Sequence, residues 1–415
     1  MITLIKNIKR LISTRTQTHV LRGKELGEMP FIENAFLLIE DGIIAGYGSM
    51  AELTLKVPQL PTTTFDASGQ FVLPCWCDSH SHIVFAGSRE TEFVDKIKGL
   101  TYSEIAANGG GILNSAKKIT EASEDALFSQ AWERLEAVSK LGTGAIEIKS
   151  GYGLTLAGEL KMLRVIKKLK QRSALTIKAT FLGAHTYPLE FKDNHQGYID
   201  LITQEMLPVI AAEKLADYID VFCETGFFSP EEMDIVCRAG MALGLKPKLH
   251  VNQLNSIGAI AAGQKLNALS LDHLETLTSD DIRLLSSDSW PGLCTLLPTA
   301  AFFLRMPFQP ARKLIDAGCA IALASDYNPG SSPSGNMNLV VAMSCIQMKM
   351  LPEEAINAAT INGAYAMECG GQLGSITIGK KANLILTKSI PSLAYLPYSF
   401  GTNLIDKVII NGEFI

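Results

Sequence analysis

The chain has 415 residues, enough for one large core and a smaller companion domain, since domains average roughly 100–200 residues. Hydrophobic residues make up 47% of it and charged residues 19%, as in an ordinary globular protein. The formal net charge of -5 and the scattered basic residues exclude a broad phosphate-binding surface, so no nucleic-acid partner is expected.

Neither export nor membrane insertion is predicted. Residues 1–15 mix lysine and arginine into apolar positions and offer no small-residue cleavage site. Apolar runs such as 292–304 are shorter than the ~20 residues of a membrane-spanning helix. The eight cysteines are dispersed, mostly within apolar runs, which indicates free thiols in a reducing cytoplasm. Cys75 and Cys77 are too close for a chelating pair and are expected to be structural thiols.

Strand patterns occur at both ends of the chain. FLLIEDGIIAGYG at 36–48 predicts a β-hairpin, and GSITIGKKANLILT and VIINGEFI predict strands after residue 373. Strands that flank a different central region predict one small composite β-sandwich domain, built from residues 1–66 and 374–415. Residues 67–373 are expected to form the larger domain.

Within the larger domain, short β-rich runs alternate with helical stretches, as in repeated βα units around a parallel sheet. Eight such runs predict an α/β fold, a closed (β/α)8 TIM barrel. The predicted strands are residues 71–78, 144–149, 174–183, 218–224, 245–251, 268–272, 292–298 and 320–325.

Two of the intervening helices have clear local signals. Ser229, Pro230 and Glu232 predict an N-cap, a first-turn proline and a capping box, and Gly244 predicts the end of that helix. A second helix, ended by Gly142, is predicted from apolar residues at helical spacing, which are Leu127, Ala131, Leu135 and Val138.

Histidines cluster at the C-terminal ends of predicted barrel strands, where barrel active sites are built. His80 and His82 are two residues apart, so in an extended segment both rings project from one face. His250 follows the fifth strand, His273 the sixth and Asp326 the eighth. Each histidine alone is better explained as a hydrogen-bonded residue at a strand end. Together, His80, His82, His250 and Asp326 predict a site for one metal ion.

Three neutral imidazoles and one carboxylate suit zinc or iron rather than a thiolate cluster. A divalent metal lowers the pKa of bound water from ~15.7 to about 7, so hydrolysis is the predicted chemistry. Asp326 is expected to accept the proton of the attacking water, and His273 to donate to or polarise the attacked carbonyl. His19 and His195 match no strand end and are expected at the surface.

Five segments carry more specific motifs: DSHSHIVFAGSRETEF at 78–93, EIKSGYGL at 147–154, FLGAHTYP at 181–188, SLDHLE at 270–275 and ALASDYNPGSSP at 322–333. With these motifs the chain resembles, over nearly its whole length, the imidazolonepropionases of the amidohydrolase superfamily. The resemblance implies hydrolysis of the cyclic amide of 4-imidazolone-5-propanoate to N-formimidoyl-L-glutamate in histidine degradation. It also implies one Zn²⁺ or Fe²⁺/Fe³⁺ ion per subunit and a homodimer.

Carried over by motif, the resemblance implies that His80, His82, His250 and Asp326 hold the metal and that His273 and Asp326 are catalytic. Arg89 suits the propanoate carboxylate of the substrate, with a salt bridge at the barrel rim as the alternative. The implied substrate contacts are Arg89, Tyr152, His185, Gln253, Asn328, Gly330 and Ser331.

Three further positions refine this hypothesis. Gln253 stands where the resemblance and related deaminases suggest a glutamate or a glutamine. An amide cannot abstract a proton, so Gln253 is expected to orient the ring. Lys149 and Lys178 leave open a carbamylated lysine between two metals, although neither lies where the resembled family needs one. Glu224 is expected to accept hydrogen bonds near the site rather than to bind the metal.

Two rival functions remain open. A deaminase of the same superfamily would use the same ligands, but it would not need the Arg89, Tyr152 and His185 set that suits a carboxylated ring. A non-catalytic barrel would keep the fold alone, and the complete ligand set argues against it.

Overall fold

The computed structural model describes residues 1–100, 104 and 110–415. Its strands, in chain order, are β1 Ile2–Ile12, β2 Phe31–Glu40, β3 Ile43–Ser49, β4 Thr63–Asp66, β5 Phe71–Pro74, β6 Trp76–Asp78, β7 Thr143–Lys149, β8 Thr176–Ala184, β9 Tyr218–Cys223, β10 Lys246–Val251, β11 Ser270–His273, β12 Leu293–Leu296, β13 Ile321–Leu323, β14 Leu384–Thr387, β15 Ile405–Ile410 and β16 Glu413–Phe414.

Most of the longer helices lie between the strands of the central region. The α-helices of the described residues are Leu53–Lys56, Glu90–Ile97, Ile112–Glu121, Glu124–Lys140, Leu156–Arg172, His195–Asp200, Leu207–Glu213, Pro230–Ala242, Ala259–Lys265, Ser279–Leu285, Pro298–Leu304, Ala311–Asp316, Met337–Ile346, Pro352–Asn357, Gly363–Ala366 and Tyr395–Tyr398. Short 3-10 segments span Gly23–Gly27, Met50–Glu52 and Leu189–Phe191, and π-helical segments span Leu201–Met206 and Ala358–Asn362. In the part of the chain that the structure describes, no helix has the length and apolarity to cross a membrane.

The central sheet confirms the predicted α/β barrel. Within the described ranges it contains eight strands, β6 to β13, each paired in parallel with the next along the chain. Just beyond β6 and β13, Asp326 N donates to His80 O at 3.0 Å and His82 N donates to Tyr327 O at 2.9 Å. These bonds join the two ends of the sheet, so the C-terminal strand ends form one continuous mouth.

The two helices with clear signals are also confirmed. Ser229 Oγ accepts from Glu232 N at 3.2 Å, and Glu232 Oε2 accepts from Ser229 N at 2.7 Å, which completes the capping box of Pro230–Ala242. Glu124–Lys140 buries the predicted apolar stripe, and Gly142 takes the left-handed φ of 97°.

The two ends of the chain build a second, mostly antiparallel sheet around the long strand β1. Strands β2 and β3 form the predicted hairpin, with left-handed Asp41 and Gly42 at its turn. On the other side, β1 pairs with β4 and β5, and β5 pairs with β14 from the C-terminal end. This sheet has a buried cluster of its own, which includes Ile5, Leu37 and Ile409.

The run at 71–78 differs from the prediction of a single barrel strand, because it divides between the two sheets. Phe71–Pro74 pairs with β1 and β14, whereas Trp76–Asp78 pairs with β7. Pro74 lacks a backbone N–H, and Cys75 N donates to Asn383 O at 3.0 Å at the crossing. Both halves are apolar and buried, so periodicity alone cannot separate them. The domain limits 1–66, 67–373 and 374–415 remain a proposal. Because Phe71–Pro74 pairs with β1 and β14, this strand belongs to the sheet of the chain ends although it lies beyond residue 66.

Candidate metal centre and substrate cavity

Three histidines meet at the mouth of the barrel. His80 and His82 follow β6 and His250 lies in β10, and one ring nitrogen from each lies within 4.8 Å of the others. The Nε2 atoms of His80 and His82 are 3.3 Å apart, and each is 3.5 Å from Asp326 Oδ1. All four side chains are buried. The structure therefore brings the four residues predicted as metal ligands to one place.

Carboxylates from two other barrel strands, β9 and β11, fix the orientation of two of these rings. His80 Nδ1 lies 2.7 Å from Asp272 Oδ2, and His250 Nδ1 lies 2.8 Å from Asp220 Oδ2. A carboxylate accepts, so each Nδ1 carries the proton and each Nε2 keeps a lone pair directed at the cluster. Sequence reasoning missed Asp220 and Asp272, although an acidic residue inside an apolar barrel strand was the available signal.

The donor set fits a divalent metal. Lone pairs from two oriented imidazoles and a carboxylate oxygen converge, which is repulsive unless a cation lies between them. Two ligand atoms that share a tetrahedral ion at roughly 2.1 Å are about 3.4 Å apart. The observed separations of 3.3 and 3.5 Å agree with that value.

Burial keeps the three imidazoles neutral, as ligands must be. It is the main cause that holds the pKa values of His80, His82 and His250 well below the usual range, and neighbouring positive groups add to it. Burial likewise raises the pKa of Asp326 to about 6, against the opposing effect of His273. A carboxylate with that pKa can exchange a proton near neutral pH.

His273 stands beside the metal ligands with a carboxylate of its own. Burial disfavours its charged form, but Glu275 outweighs burial and raises the pKa of His273. Its Nδ1 lies 3.3 Å from Glu275 Oε1, which also accepts from Gln309 Nε2 at 2.8 Å. His273 and Asp326 both take left-handed φ angles, 86° and 50°, a strain that folded proteins concentrate at functional sites.

Two connected spaces lead to this cluster. The outer cavity, about 620 Å³, is lined by all seven predicted substrate contacts, which are Arg89, Tyr152, His185, Gln253, Asn328, Gly330 and Ser331. The inner chamber, about 50 Å³, is lined by His82, His250, His273 and Asp326. Residues shared by both, including Tyr152 and His185, mark the passage between them. The outer cavity therefore lies directly against the histidine cluster.

Arg89 is ion-paired at the wall of the outer cavity. Its Nε and Nη2 donate to Glu92 Oε2 at 2.8 and 2.6 Å, and Glu92 Oε1 accepts from Gly111 N at 3.1 Å. Lys96, one helical turn beyond Glu92, also lines the cavity and donates from Nζ to Gly330 O at 3.1 Å. Lys96 was missed because a lysine on a short amphipathic helix normally indicates a solvent-facing side.

His185 and Tyr152 line the passage. His185 Nδ1 lies 2.9 Å from Gly151 O, which leaves Nε2 for the cavity, and the ring stacks on His82 with centroids 5.8 Å apart. Burial lowers the pKa of His185 to about 4, so this imidazole is neutral at neutral pH. The ring of Tyr152 lies 5.3 Å from that of His185. Both positions suit hydrogen bonds to a polar ring.

The turn after Asp326 is held by its own side chains. Asn328 Nδ2 donates to Asp326 O at 2.6 Å, and Asn328 Oδ1 accepts from Gly330 N and Ser331 N at 2.8 Å. Ser331 Oγ donates to Asp326 Oδ2 at 3.3 Å. A side chain at Gly330 would overlap the guanidinium of Arg89. The turn thus positions Asp326, and the substrate contacts of its residues stay predictions.

Glu224 is confirmed as a hydrogen-bond acceptor. It takes four bonds of 2.8 to 3.1 Å, from Thr225 N, Leu254 N, and the backbone N and Nδ2 of Asn255, and so anchors the segment after Gln253. Lys178 lies apart from the cluster, with Nζ 3.8 Å from Asp217 Oδ1. The predicted free thiols are confirmed for all eight cysteines, each within the described ranges.

Comparison with known proteins places the chain first in a broad class. A profile described as "Amidohydrolase family" matches residues 224–415. The guanine deaminase of E. coli shares the fold with a TM-score of 0.74 at 12% identity, covering 100% of this chain and 99% of that one. An adenosine deaminase from Xanthomonas campestris with bound Zn gives a TM-score of 0.70 at 15% identity, covering 99% and 92%. The fold is therefore that of the amidohydrolases.

Relatives of higher identity narrow this class. The imidazolonepropionase of Flavobacterium johnsoniae is 58% identical over 418 residues, and that of Christiangramia forsetii is 54% identical over 417, each covering 100% of both chains. The imidazolonepropionase of a Geobacillus species is 39% identical over 99% of this chain and 97% of its own. The chain belongs to the imidazolonepropionase family.

Proposed function

We propose that this protein hydrolyses the cyclic amide of 4-imidazolone-5-propanoate to N-formimidoyl-L-glutamate, a step of histidine degradation. The observation that carries the proposal is a pair of adjacent spaces with shared walls, one lined by the histidine and aspartate cluster and the other by an arginine. A hydrolytic centre and a cation for a carboxylate are the two things this substrate requires. Full-length relatives named imidazolonepropionase support the same reaction.

His80, His82, His250 and Asp326 would hold one Zn²⁺ or Fe²⁺/Fe³⁺ ion, since their donor set suits a metal of intermediate softness. When bound, such an ion polarises a carbonyl and lowers the pKa of water. Asp220 and Asp272 hold two of the rings in the tautomer that binding requires.

The remaining steps belong to residues of this chain. Arg89 pairs with the propanoate carboxylate, and Tyr152, His185 and Gln253 orient the ring by hydrogen bonds. Asp326 takes a proton from the attacking water as its oxygen bonds to the ring carbonyl carbon. The amide C–N bond then breaks, and the leaving nitrogen takes a proton from Asp326 or from His273.

Gln253 favours hydrolysis of the ring amide over deamination. It lines both the outer cavity and the inner chamber, where a glutamate would serve as the acid and base of a deaminase. A neutral amide donates and accepts hydrogen bonds but does not move a proton. Proton transfer therefore falls to Asp326 and His273, which both line the inner chamber.

The direct test is incubation of the metal-loaded protein with freshly prepared 4-imidazolone-5-propanoate, with mass spectrometry of the product. We expect a gain of one water and the mass of N-formimidoyl-L-glutamate. Parallel incubations with guanine and adenosine, assayed for ammonia, test the rival deaminase function. Ammonia from guanine or from adenosine, with the imidazolone left intact, would reject the proposal.

The proposal extends to the location, the partners and the oligomeric state of the enzyme. We place it in the cytoplasm, where all eight cysteines can remain free thiols. Its partner is a small carboxylated imidazolone rather than a nucleic acid or a membrane, in keeping with the net charge of -5. We infer a homodimer from the resemblance to the family, which light scattering of the metal-loaded protein checks directly.

A further inference from the structure

A layer of charged side chains crosses the barrel interior beneath the histidine cluster. Its members come from four strands, their side chains are fully buried, and they alternate in sign; they are Glu147 and Lys149 of β7, Asp220 of β9, Lys248 of β10 and Asp272 of β11. Formally the layer contains three carboxylates and two ammonium groups. Such a layer is costly to bury, so its retention calls for a reason beyond stability.

Lys149 is the member that joins the two carboxylates which orient histidines. Its Nζ lies 2.8 Å from Asp220 Oδ2 and 3.6 Å from Asp272 Oδ2, the oxygens that face His250 and His80. A third contact, at 2.8 Å, goes to Glu147 Oε1. Burial opposes the ammonium form, but Asp220 and Glu147 outweigh it and raise the pKa of Lys149.

These contacts rule against the carbamylated lysine that the sequence left open. A carbamate is an anion and would stand against the carboxylates of Asp220, Glu147 and Asp272. Lys149 is therefore a cation that lies one layer below the ligands. Without it, Asp220 and Asp272 would repel each other in a site where solvent does not screen them.

We propose that Lys149 is a positioning residue for the metal centre: by bridging Asp220 and Asp272 it holds His80 and His250 in the orientation that presents both Nε2 lone pairs to one ion. The role rests on the metal site of the proposed function. It does not depend on the identity of the substrate.

Lys248 is a matched control. It is equally buried, lies in the same layer, and contacts Glu147 Oε2 at 3.2 Å, Ser270 Oγ at 2.8 Å and Ala366 O at 3.0 Å. Its hydrogen-bonded link to Asp272 runs through Ser270, whose Oγ donates to Asp272 Oδ1 at 2.5 Å, and its charge also favours the ionised form of Asp272. Loss of Lys248 removes the same charge from the layer and leaves the bridge between Asp220 and Asp272 in place.

The experiment compares Lys149→Met with Lys248→Met in the full-length protein. Metal is removed by dialysis against a chelator, and Co²⁺ is titrated back while its visible absorption bands report affinity and ligand geometry. Loss of a group that orients ligands typically weakens metal binding by about 10–100-fold. We expect the Kd of Lys149→Met to exceed that of Lys248→Met by about tenfold or more, with altered cobalt bands in Lys149→Met alone.

A ratio of the two Kd values below about tenfold would overturn the proposal, because a merely structural role would affect both variants alike. If either single variant fails to fold, the comparison uses Lys149→Met/Glu147→Gln and Lys248→Met/Glu147→Gln, which restore the charge balance of the layer, and the same ratio decides. The readout is metal binding, so wild-type protein that binds Co²⁺ but leaves the imidazolone intact would defeat the proposed function alone.

Discussion

In the inner chamber most groups have a second buried group behind them, whereas the outer cavity depends on sparser supports. Asp272 holds His80 and Asp220 holds His250, each from a barrel strand distant in sequence, and Glu275 holds His273 from two residues further along the chain. Arg89 depends on Glu92, three residues along the same segment. The contrast indicates that the reacting centre is fixed by the fold, while substrate choice is set by local contacts that can change without disturbing it.

Substitution of Asp326, which lines the inner chamber, should have the largest effect on activity. We expect Asp326→Ala to lose metal and to lower kcat/KM by about 10⁴-fold, since it removes a ligand and the proton acceptor together. Steady-state kinetics with metal analysis of the same preparation checks this. Ser331→Ala, which removes the 3.3 Å bond to Asp326 Oδ2 and the 2.7 Å bond from Asn328 Nδ2 but leaves the carboxylate in place, should cost less than about tenfold. Equal losses in the two variants would contradict the contrast.

Arg89→Met tests the outer cavity. We expect KM to rise by about 100-fold with little change in kcat, because a charge-assisted bond to the remote carboxylate is lost in substrate and transition state alike. The control is an analogue of the substrate with a propanamide side chain, whose turnover should not respond to this substitution. A fall in kcat with unchanged KM would place Arg89 in the chemistry instead.

The pH dependence of stability probes His185, in the passage between the two spaces. Its folded pKa of about 4 lies below the unfolded value of about 6.5, so the unfolded chain takes up a proton first as the pH falls, and stability decreases through that window. From about pH 7.5 to 5, metal-free wild type should lose roughly 2 kcal/mol more than His185→Asn.

Urea unfolding at both pH values measures this difference. His19→Asn is the matched control, because it replaces a histidine whose side chain is 64% exposed. The same pH dependence in wild type and in His185→Asn would show that His185 is not held neutral by burial.

Gly330→Ala should have the smallest of these effects. The added methyl group would meet the guanidinium of Arg89, which must then move away from Glu92. We expect KM to rise by about tenfold, and an unchanged metal content would show that the outer cavity can be altered alone. Gly371→Ala, at a position with open space around it and without a left-handed φ, controls for the general cost of replacing a glycine. Equal kinetics in wild type and Gly330→Ala would contradict the expected contact.

The sequence was sufficient for the barrel and for the location of the metal ligands. Parallel strands bring their C-terminal ends to one face, so His80, His250 and Asp326 had to lie near one another once the strand order was known. The reach of side chains between neighbouring strands was not predictable in the same way. Asp220 and Asp272 sit in strands whose apolar pattern indicates core. The pairing of β9 with β10 brings Asp220 to His250, and Asp272 meets His80 across the interior of the barrel.

The junction at Pro74 and the position of Lys96 also depend on contacts that the sequence does not predict. Phe71–Pro74 and Trp76–Asp78 are equally buried, so nothing in their composition tells which sheet each half joins. Lys96 faces the outer cavity because of where one short helix packs, which depends on contacts made across the barrel mouth. Local sequence patterns determine which segments become helices and strands. Which sheet or cavity each face meets depends on residues that are distant in sequence.

The joint between the first and last barrel strands also sets the order in which the centre can be assembled during synthesis. Ser325 N donates to Asp78 Oδ1 across 247 positions of sequence, and the neighbouring His80 and Asp326 contribute to the same joint. A growing chain that has released His80, His82 and His250 still lacks the fourth ligand until the last strand emerges. Capture of the proposed ion would thus be a late event, and an ion held across the joint would oppose its reopening by mass action.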